Sequence, residues 1–98
     1  MELRVLLPDD EAPATISEVV AALKKEDFTA KHDKQSWGDW ITLGRHQTVI
    51  AIESQRGLTT SAVIEFGEGE EDELQGRLCS AFRSLGWEGE DEDGRFTL

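Results

Sequence analysis

The segment 31–40 holds the residue types best suited to binding or chemistry in this chain. Two of the three tryptophans and one of the two histidines lie there, with two aspartates among them. Imidazole and carboxylate groups bind divalent metals and transfer protons, and an indole ring offers a flat apolar surface to a ligand. One interpretation is therefore a small-molecule or metal-binding site along the meander 32–46. Its predicted residues are His32, Trp37, Asp39 and His46.

The spacing of these residues specifies no metal and no reaction. The patterns H-x-x-x-H, H-x-E and C-x-x-C, which bring zinc ligands together, do not occur. Cys79 is the only thiol, and it falls at the flank of a predicted helix with no base beside it. Segment 67–69 lacks the lysine and hydroxyl of a phosphate loop. We therefore expect no catalytic residue, no metal and no cofactor, and we favour a protein that is not an enzyme.

Trp40 is the residue most indicative of an interaction surface. A strand over 36–43 would direct Trp37 and Ile41 towards the core and Trp40 to the opposite side. Such a residue belongs either to an ordinary half-exposed sheet face or to a surface that anchors a partner. The predicted interface residues are Trp40, Thr42, Val49, Ala51 and Val63.

Hydrophobic periodicity predicts the elements that carry these residues. A two-residue period opens the chain, and Thr15 with Glu18 forms a capping box before a helix that ends near Lys25. Acidic residues precede a second apolar helical stripe, which Gly86 ends as a C-terminal cap with Trp87 as its apolar partner. The predicted strands are 2–7, 28–33, 36–43, 47–54, 58–66 and 96–98.

This pattern predicts a single α+β domain, residues 1–98, with the order β-α-β-β-β-β-α-β. We expect a two-layer sandwich in which a mostly antiparallel sheet carries both helices on one face, as a ferredoxin-like variant with an enlarged meander. The sheet residues assigned to the core are Phe28, Ala30, Ile41, Leu43, Ile50, Ile52, Ala62, Ile64 and Phe66.

Charge narrows the choice of partner. The 98 residues include 21 acidic and 10 basic side chains, for a net charge of −11, which argues against nucleic acid and anionic membrane. Most of the excess of acidic over basic side chains lies in residues 65–98. This negative charge either keeps the protein soluble or steers a basic partner protein towards the chain. The predicted acidic surface comprises Glu70, Glu71, Asp72, Glu90, Asp91 and Asp93.

We therefore expect a small, acidic, non-catalytic protein-interaction module. It would associate with a protein, either itself as a homodimer or a basic partner, through the sheet face around Trp40, the acidic C-terminal end, or both. One cysteine cannot form an intrachain disulfide, and no secretory leader is recognisable, so we expect a cytoplasmic location. The alternative is the ligand site at 32–46.

Overall fold

A computed structural model describes residues 2–98 as an α+β fold with two helices and one sheet in which all strand pairings are antiparallel. The helices are α1 (Ile16–Lys25) and α2 (Glu71–Ser84). The strands are β1 (Glu2–Leu6), β2 (Ala14–Thr15), β3 (Ala30–Gln35), β4 (Gly38–Leu43), β5 (Val49–Gln55), β6 (Leu58–Glu65), β7 (Glu88–Asp91) and β8 (Gly94–Thr97). Neither helix within residues 2–98 is long and apolar enough to cross a membrane.

The sheet has the order β3-β4-β5-β6-β1-β7-β8, and the short β2 pairs separately with β6. The predicted element order was wrong, because it lacked two strands that the structure contains. One is β2, whose two residues are too few to show a period. The other is β7, an acidic segment that becomes a strand through its pairing with β1, in the register Val5↔Gly89.

The capping residues at the start of α1 and at the end of α2 were predicted correctly. Thr15 Oγ1 accepts a hydrogen bond from the Glu18 amide at 3.1 Å, and Glu18 Oε1 accepts one from the Thr15 amide at 3.2 Å. At the end of α2, Gly86 has φ 84°, and the Trp87 amide donates to the Phe82 carbonyl at 3.1 Å. The Trp87 ring packs against that of Phe82, with 5.2 Å between centroids, so this helix ends in the expected hydrophobic cap.

The core lies between the helices and one face of the sheet. Alternate residues of β1, β4, β5 and β6 are buried, and they form one cluster with the apolar faces of both helices, which contact each other. The buried sheet residues are Leu3, Val5, Ile41, Leu43, Ile50, Ile52, Ala62 and Ile64, and the helices add Val19, Ala22, Leu23, Leu74, Leu78, Ala81 and Phe82.

The predicted core position of Trp37 was wrong. This residue lies in the turn between β3 and β4, and 51% of its surface is exposed. The reason is that β3 continues to Gln35 and β4 begins only at Gly38, so the two-residue period cannot be extended back to Trp37. The buried tryptophan is Trp87 instead, with 2% of its surface exposed.

Candidate functional site

The sheet face that points away from the core is the first candidate site; we call it the open face. Its residues are at most half-buried, in contrast to their neighbours along β1, β4, β5 and β6, most of which are buried. Strand register aligns them in rows across the sheet. The first row is Asp33, Trp40, Ala51, Val63, Arg4, Glu90 and Arg95. The second row is Lys31, Thr42, Val49, Glu65 and Glu2, and the third is Glu53, Ser61, Leu6, Glu88 and Thr97.

The centre of the open face is apolar, and its borders are charged. The predicted interface residues Trp40, Ala51 and Val63 are direct neighbours in the first row, on β4, β5 and β6. Val49 and Thr42 adjoin them in the second row. The large side chain of Trp40 projects beside the small side chain of Ala51, so a complementary surface can insert a side chain next to the indole.

The half-buried Trp40 contacts the exposed Trp37 from the side. The rings of Trp37 and Trp40 meet edge to face, with centroids 6.2 Å apart and planes at 87°. Such pairs contribute about 0.5–1.5 kcal/mol beyond the area that they bury. The pair therefore holds the Trp40 indole in a defined orientation at the edge of the open face.

A cleft of about 510 Å³ lies beside this pair. Trp37 and Leu58, which are 51% and 44% exposed, provide apolar surface. Ser54 contributes a hydroxyl, which donates a hydrogen bond to the carboxylate of Asp39. The complete lining is Pro13, Trp37, Glu53, Ser54, Gln55, Leu58 and Thr60.

Asp39 holds Ser54 and His32 together beneath the cleft. Only 2% of its surface is exposed, and its two carboxylate oxygens accept separate hydrogen bonds from His32 Nε2 and Ser54 Oγ. The three side chains thereby link β3, β4 and β5. Burial alone would raise the pKa of Asp39, but the hydrogen bonds from Ser54 and His32 outweigh it, so this pKa is lowered.

This arrangement does not activate a serine nucleophile. In a catalytic triad the imidazole lies next to the hydroxyl and removes its proton, whereas here the carboxylate separates His32 from Ser54. Sequence reasoning selected His32 and Asp39 but missed Ser54. A bulge between Glu53 and Ser54 shifts the register there, and the period alone does not reveal it.

Gly38 permits the close approach of β4 and β5 that forms this cluster. A Cβ atom at Gly38 would overlap the Ile52 carbonyl oxygen, and the residue has φ 156°. Only glycine therefore fits beside Asp39 without displacing β5.

His46 does not join the predicted ligand site. It follows the far end of β4, where its Nδ1 lies 3.1 Å from Glu70 Oε2 and its ring meets that of Phe28 edge to face. The structure thus brings His32 and Asp39 into contact, places Trp37 on the adjoining cleft and separates His46 from all three. Within residues 2–98, no three His, Cys, Asp or Glu side chains gather as metal ligands.

Glu70, assigned to the acidic surface, is bound within the fold. Its Oε1 accepts hydrogen bonds from the Gln47 amide at 2.9 Å and from the amide and hydroxyl of Thr48 at 2.8 Å each. Burial works to raise the pKa of Glu70, but bonds from Thr48 and His46 outweigh it and lower this pKa. This carboxylate secures the β4–β5 loop to the start of α2.

The other carboxylates of the acidic surface differ in how exposed they are and in whether they already have a partner in the chain. Glu90 Oε1 lies 3.4 Å from Arg4 Nε, and Asp91 accepts a hydrogen bond from the Asp93 amide at 2.9 Å. Glu71 is half-buried, whereas Asp72, Asp91 and Asp93 are exposed. The β7–β8 hairpin therefore presents the more accessible part of this surface.

Cys79 is half-buried on α2, and burial raises the pKa of its thiol despite the opposing charge of Arg83. A thiol in that state is a poor nucleophile.

No protein-family model, curated protein or solved structure matches this chain.

Proposed function

We propose that this protein is a non-catalytic association module that binds another protein through the open face. The supporting observation is the row Trp40–Ala51–Val63, which crosses three adjacent strands on the side of the sheet opposite to the core. Tryptophan is the residue type most often found as an interface anchor, and a small neighbour leaves room for an inserted side chain. The charged residues at both ends of the row form the polar rim that such interfaces have.

The proposal also covers the topology of the fold and the cellular location of the protein. β1 lies between β6 and β7, the strands that flank α2, which favours a ferredoxin-like two-layer sandwich with an enlarged meander. We also place the protein in the cytoplasm, because a single cysteine needs no oxidising compartment.

The acidic end is a weaker candidate for the binding surface. Glu70 and Glu90 already bind groups of their own chain, so fewer carboxylates are free to meet a basic protein than the sequence indicated. Charges that are exposed and mobile affect association rates more than affinity. This end would at most steer a basic partner.

Photo-crosslinking tests the proposal directly. The chain is prepared with a photoreactive residue in place of Ala51 and added to a lysate of the source cells. On irradiation it should form a covalent adduct with a protein that mass spectrometry identifies. The adduct should be lost when Trp40→Ala is added. Ala21 is exposed on α1 and provides the matched control position, at which no such adduct is expected. Equal adducts at both positions, or none at Ala51, would overturn the proposal.

A small-molecule site is the second candidate, and the cleft beside Trp37 supports it. Ser54 is the one cleft residue whose side chain is fixed by a buried carboxylate, so it would present its oxygen to a ligand lying on the Trp37 ring. Thermal-shift screening of a small-molecule library against the wild type and Trp37→Ala tests this. Compounds that stabilise both forms equally do not bind in this cleft.

A further inference from the structure

We propose that the partner of the open face is a second copy of this chain, packed face to face about a two-fold axis that runs along β5. This inference rests on the proposed function and names its partner. It follows from how apolar and charged residues are distributed over the rows of the open face.

A two-fold axis along β5 superposes particular strands of the two copies. Rotation about a strand direction keeps each row opposite the same row and exchanges the two sides of the sheet. β4 then lies over β6 of the second copy, and β3 lies over β1. In the first row, Trp40 meets Val63 of the second copy on both sides of a central Ala51–Ala51 contact. The indole thus packs on an aliphatic residue, and the smallest side chains lie on the axis.

The charges at the borders match in the same superposition. Asp33 lies over Arg4 of the second copy in the first row, and Lys31 lies over Glu2 in the second row. Arg4 also pairs with Glu90 of its own chain, but its side chain is 54% exposed and its guanidinium has further donors for Asp33. Both pairs join opposite charges, and the symmetry repeats each of them. Complementary charge on the rim of an interface selects the partner and the register.

Other two-fold axes lose this match. An axis across the strands through the first row places every residue of that row against its own copy, so Asp33 meets Asp33. An axis across the strands between the first two rows exchanges the rows. It pairs Asp33 with Lys31, but it sets Trp40 on Thr42 and Val63 on Glu65. An axis along β6 places Trp40 on Glu90. An axis between β5 and β6 places Asp33 against Glu90, and one between β4 and β5 places Asp33 against Val63. Among these arrangements, the axis along β5 is the one in which Trp40 packs on an aliphatic residue and the charged border residues also meet opposite charges.

The overlap is large enough for a specific contact. Five strands about 4.8 Å apart, each with about three facing residues spaced about 6.8 Å apart, cover about 500 Å² per copy, or about 1,000 Å² in total. This area reaches the lower limit for a biological interface, so a dimer of modest affinity is expected. β7 and β8 extend beyond the overlap.

One residue opposes the dimer. Glu53 belongs to β5 in the third row, so it lies near its own copy at the end of the axis. It is exposed at the rim, where water weakens the repulsion. Each copy has a net charge of −11, so neutralising any surface carboxylate reduces the repulsion between copies. Glu53→Gln should strengthen the dimer more than Glu68→Gln, which removes an exposed carboxylate outside the overlap.

Analytical ultracentrifugation of the purified chain tests the proposal. The wild type should show a concentration-dependent dimer, and Trp40→Ala should weaken it about tenfold or more. Asp33→Arg and Arg4→Asp should each weaken it about tenfold, because each creates two like-charge contacts. An equimolar mixture of these two variants should restore a heterodimer, since both of its rim contacts then join opposite charges. Arg95→Asp, in the same row but outside the overlap, is the matched control and should leave the dimer unchanged.

Circular dichroism must first confirm that each variant is folded. A heterodimer in the mixture also shows that both variants are folded, because a misfolded variant could not form it. A chain that remains monomeric at millimolar concentration would overturn the second-copy proposal, as would a mixture without heterodimer or an effect of Arg95→Asp equal to that of Arg4→Asp. The proposed function fails separately, when Ala51 forms no adduct with any protein in the lysate. An Ala51 adduct with a different protein, together with a monomeric purified chain, would retain the proposed function and reject the dimer.

Discussion

The Ser54 hydroxyl donates a hydrogen bond to the buried carboxylate of Asp39 and thereby links β5 to β4 beside a bulge. The other carboxylate oxygen is occupied by His32, so the buried charge has a partner on each side. A buried carboxylate without such partners would be costly, and the bonds therefore decide whether this corner of the sheet is stable.

Ser54→Ala removes one partner of the buried Asp39 carboxylate. We expect the free energy of unfolding to fall by about 1–3 kcal/mol, because a hydrogen bond to a charged group is lost in a buried setting. Urea denaturation measures the loss. Ser61→Ala is the matched control on the open face and should change stability by less than about 0.5 kcal/mol. Equal losses in the two variants would contradict a special role for the Asp39 bond.

Asp39 should make the fold sensitive to acid. Its pKa is lowered below the usual 3.8 because Ser54 and His32 donate to its charged form and Lys34 lies nearby, so the unfolded chain takes up the proton first as pH falls. Its contribution to stability is therefore complete above pH 3.8 and is lost as the pH falls through the lower, folded-state pKa.

Urea denaturation between pH 7 and pH 2 tests this acid sensitivity. Asp39→Asn should be less stable at neutral pH and should lose less further stability in acid than the wild type. Asp10→Asn removes an exposed carboxylate outside the sheet and is the control, so this variant should lose stability in acid as the wild type does. If Asp39→Asn kept the full acid dependence, the lowered pKa would have to belong to another group.

Glu70→Gln should loosen the β4–β5 loop. The carboxylate accepts bonds from the Gln47 and Thr48 amides and from the Thr48 hydroxyl, and an uncharged amide oxygen binds the same donors more weakly. Amide hydrogen exchange at Gln47 and Thr48 should accelerate, while exchange in the centre of β5 should change little. Glu71→Gln, at the next position, is the control and should leave both amides protected. Unchanged exchange in Glu70→Gln would show that backbone packing alone orders the loop.

The two tryptophans Trp37 and Trp87 should differ strongly in their effect on folding. Trp87→Ala removes a ring that is buried against Phe82 and should cost about 3–5 kcal/mol in the free energy of unfolding. Trp37→Ala truncates a half-exposed turn residue and should cost about 1 kcal/mol or less. Chemical denaturation of both variants provides the comparison. A loss for Trp37→Ala as large as that for Trp87→Ala would contradict the minor structural role that its exposure indicates.

Features that depend on neighbouring residues were predictable from the sequence. The capping box at Thr15 and the Gly86 cap require only residues within one helical turn, so their hydrogen bonds follow from the local order of side chains. The meander and the buried side of its last three strands, with Ile41 and Ile50 at the centre, follow from the two-residue period. The first strand differs: it begins at Ala30 and not at Phe28, and Ala30, assigned to the core, is only half-buried.

Features that depend on pairing between distant segments were decided by the tertiary structure. β7 has no apolar alternation, and it is a strand because β1 offers free backbone groups to it. The grouping of Asp39 with Ser54 depends on a bulge and on the close approach at Gly38, neither of which changes the hydrophobic pattern. The opposition of Asp33 and Lys31 to Arg4 and Glu2 likewise depends on strand order. Periodicity determines which face a side chain occupies, but only register and strand order determine its neighbours on that face, because those are set by contacts between residues far apart in the chain.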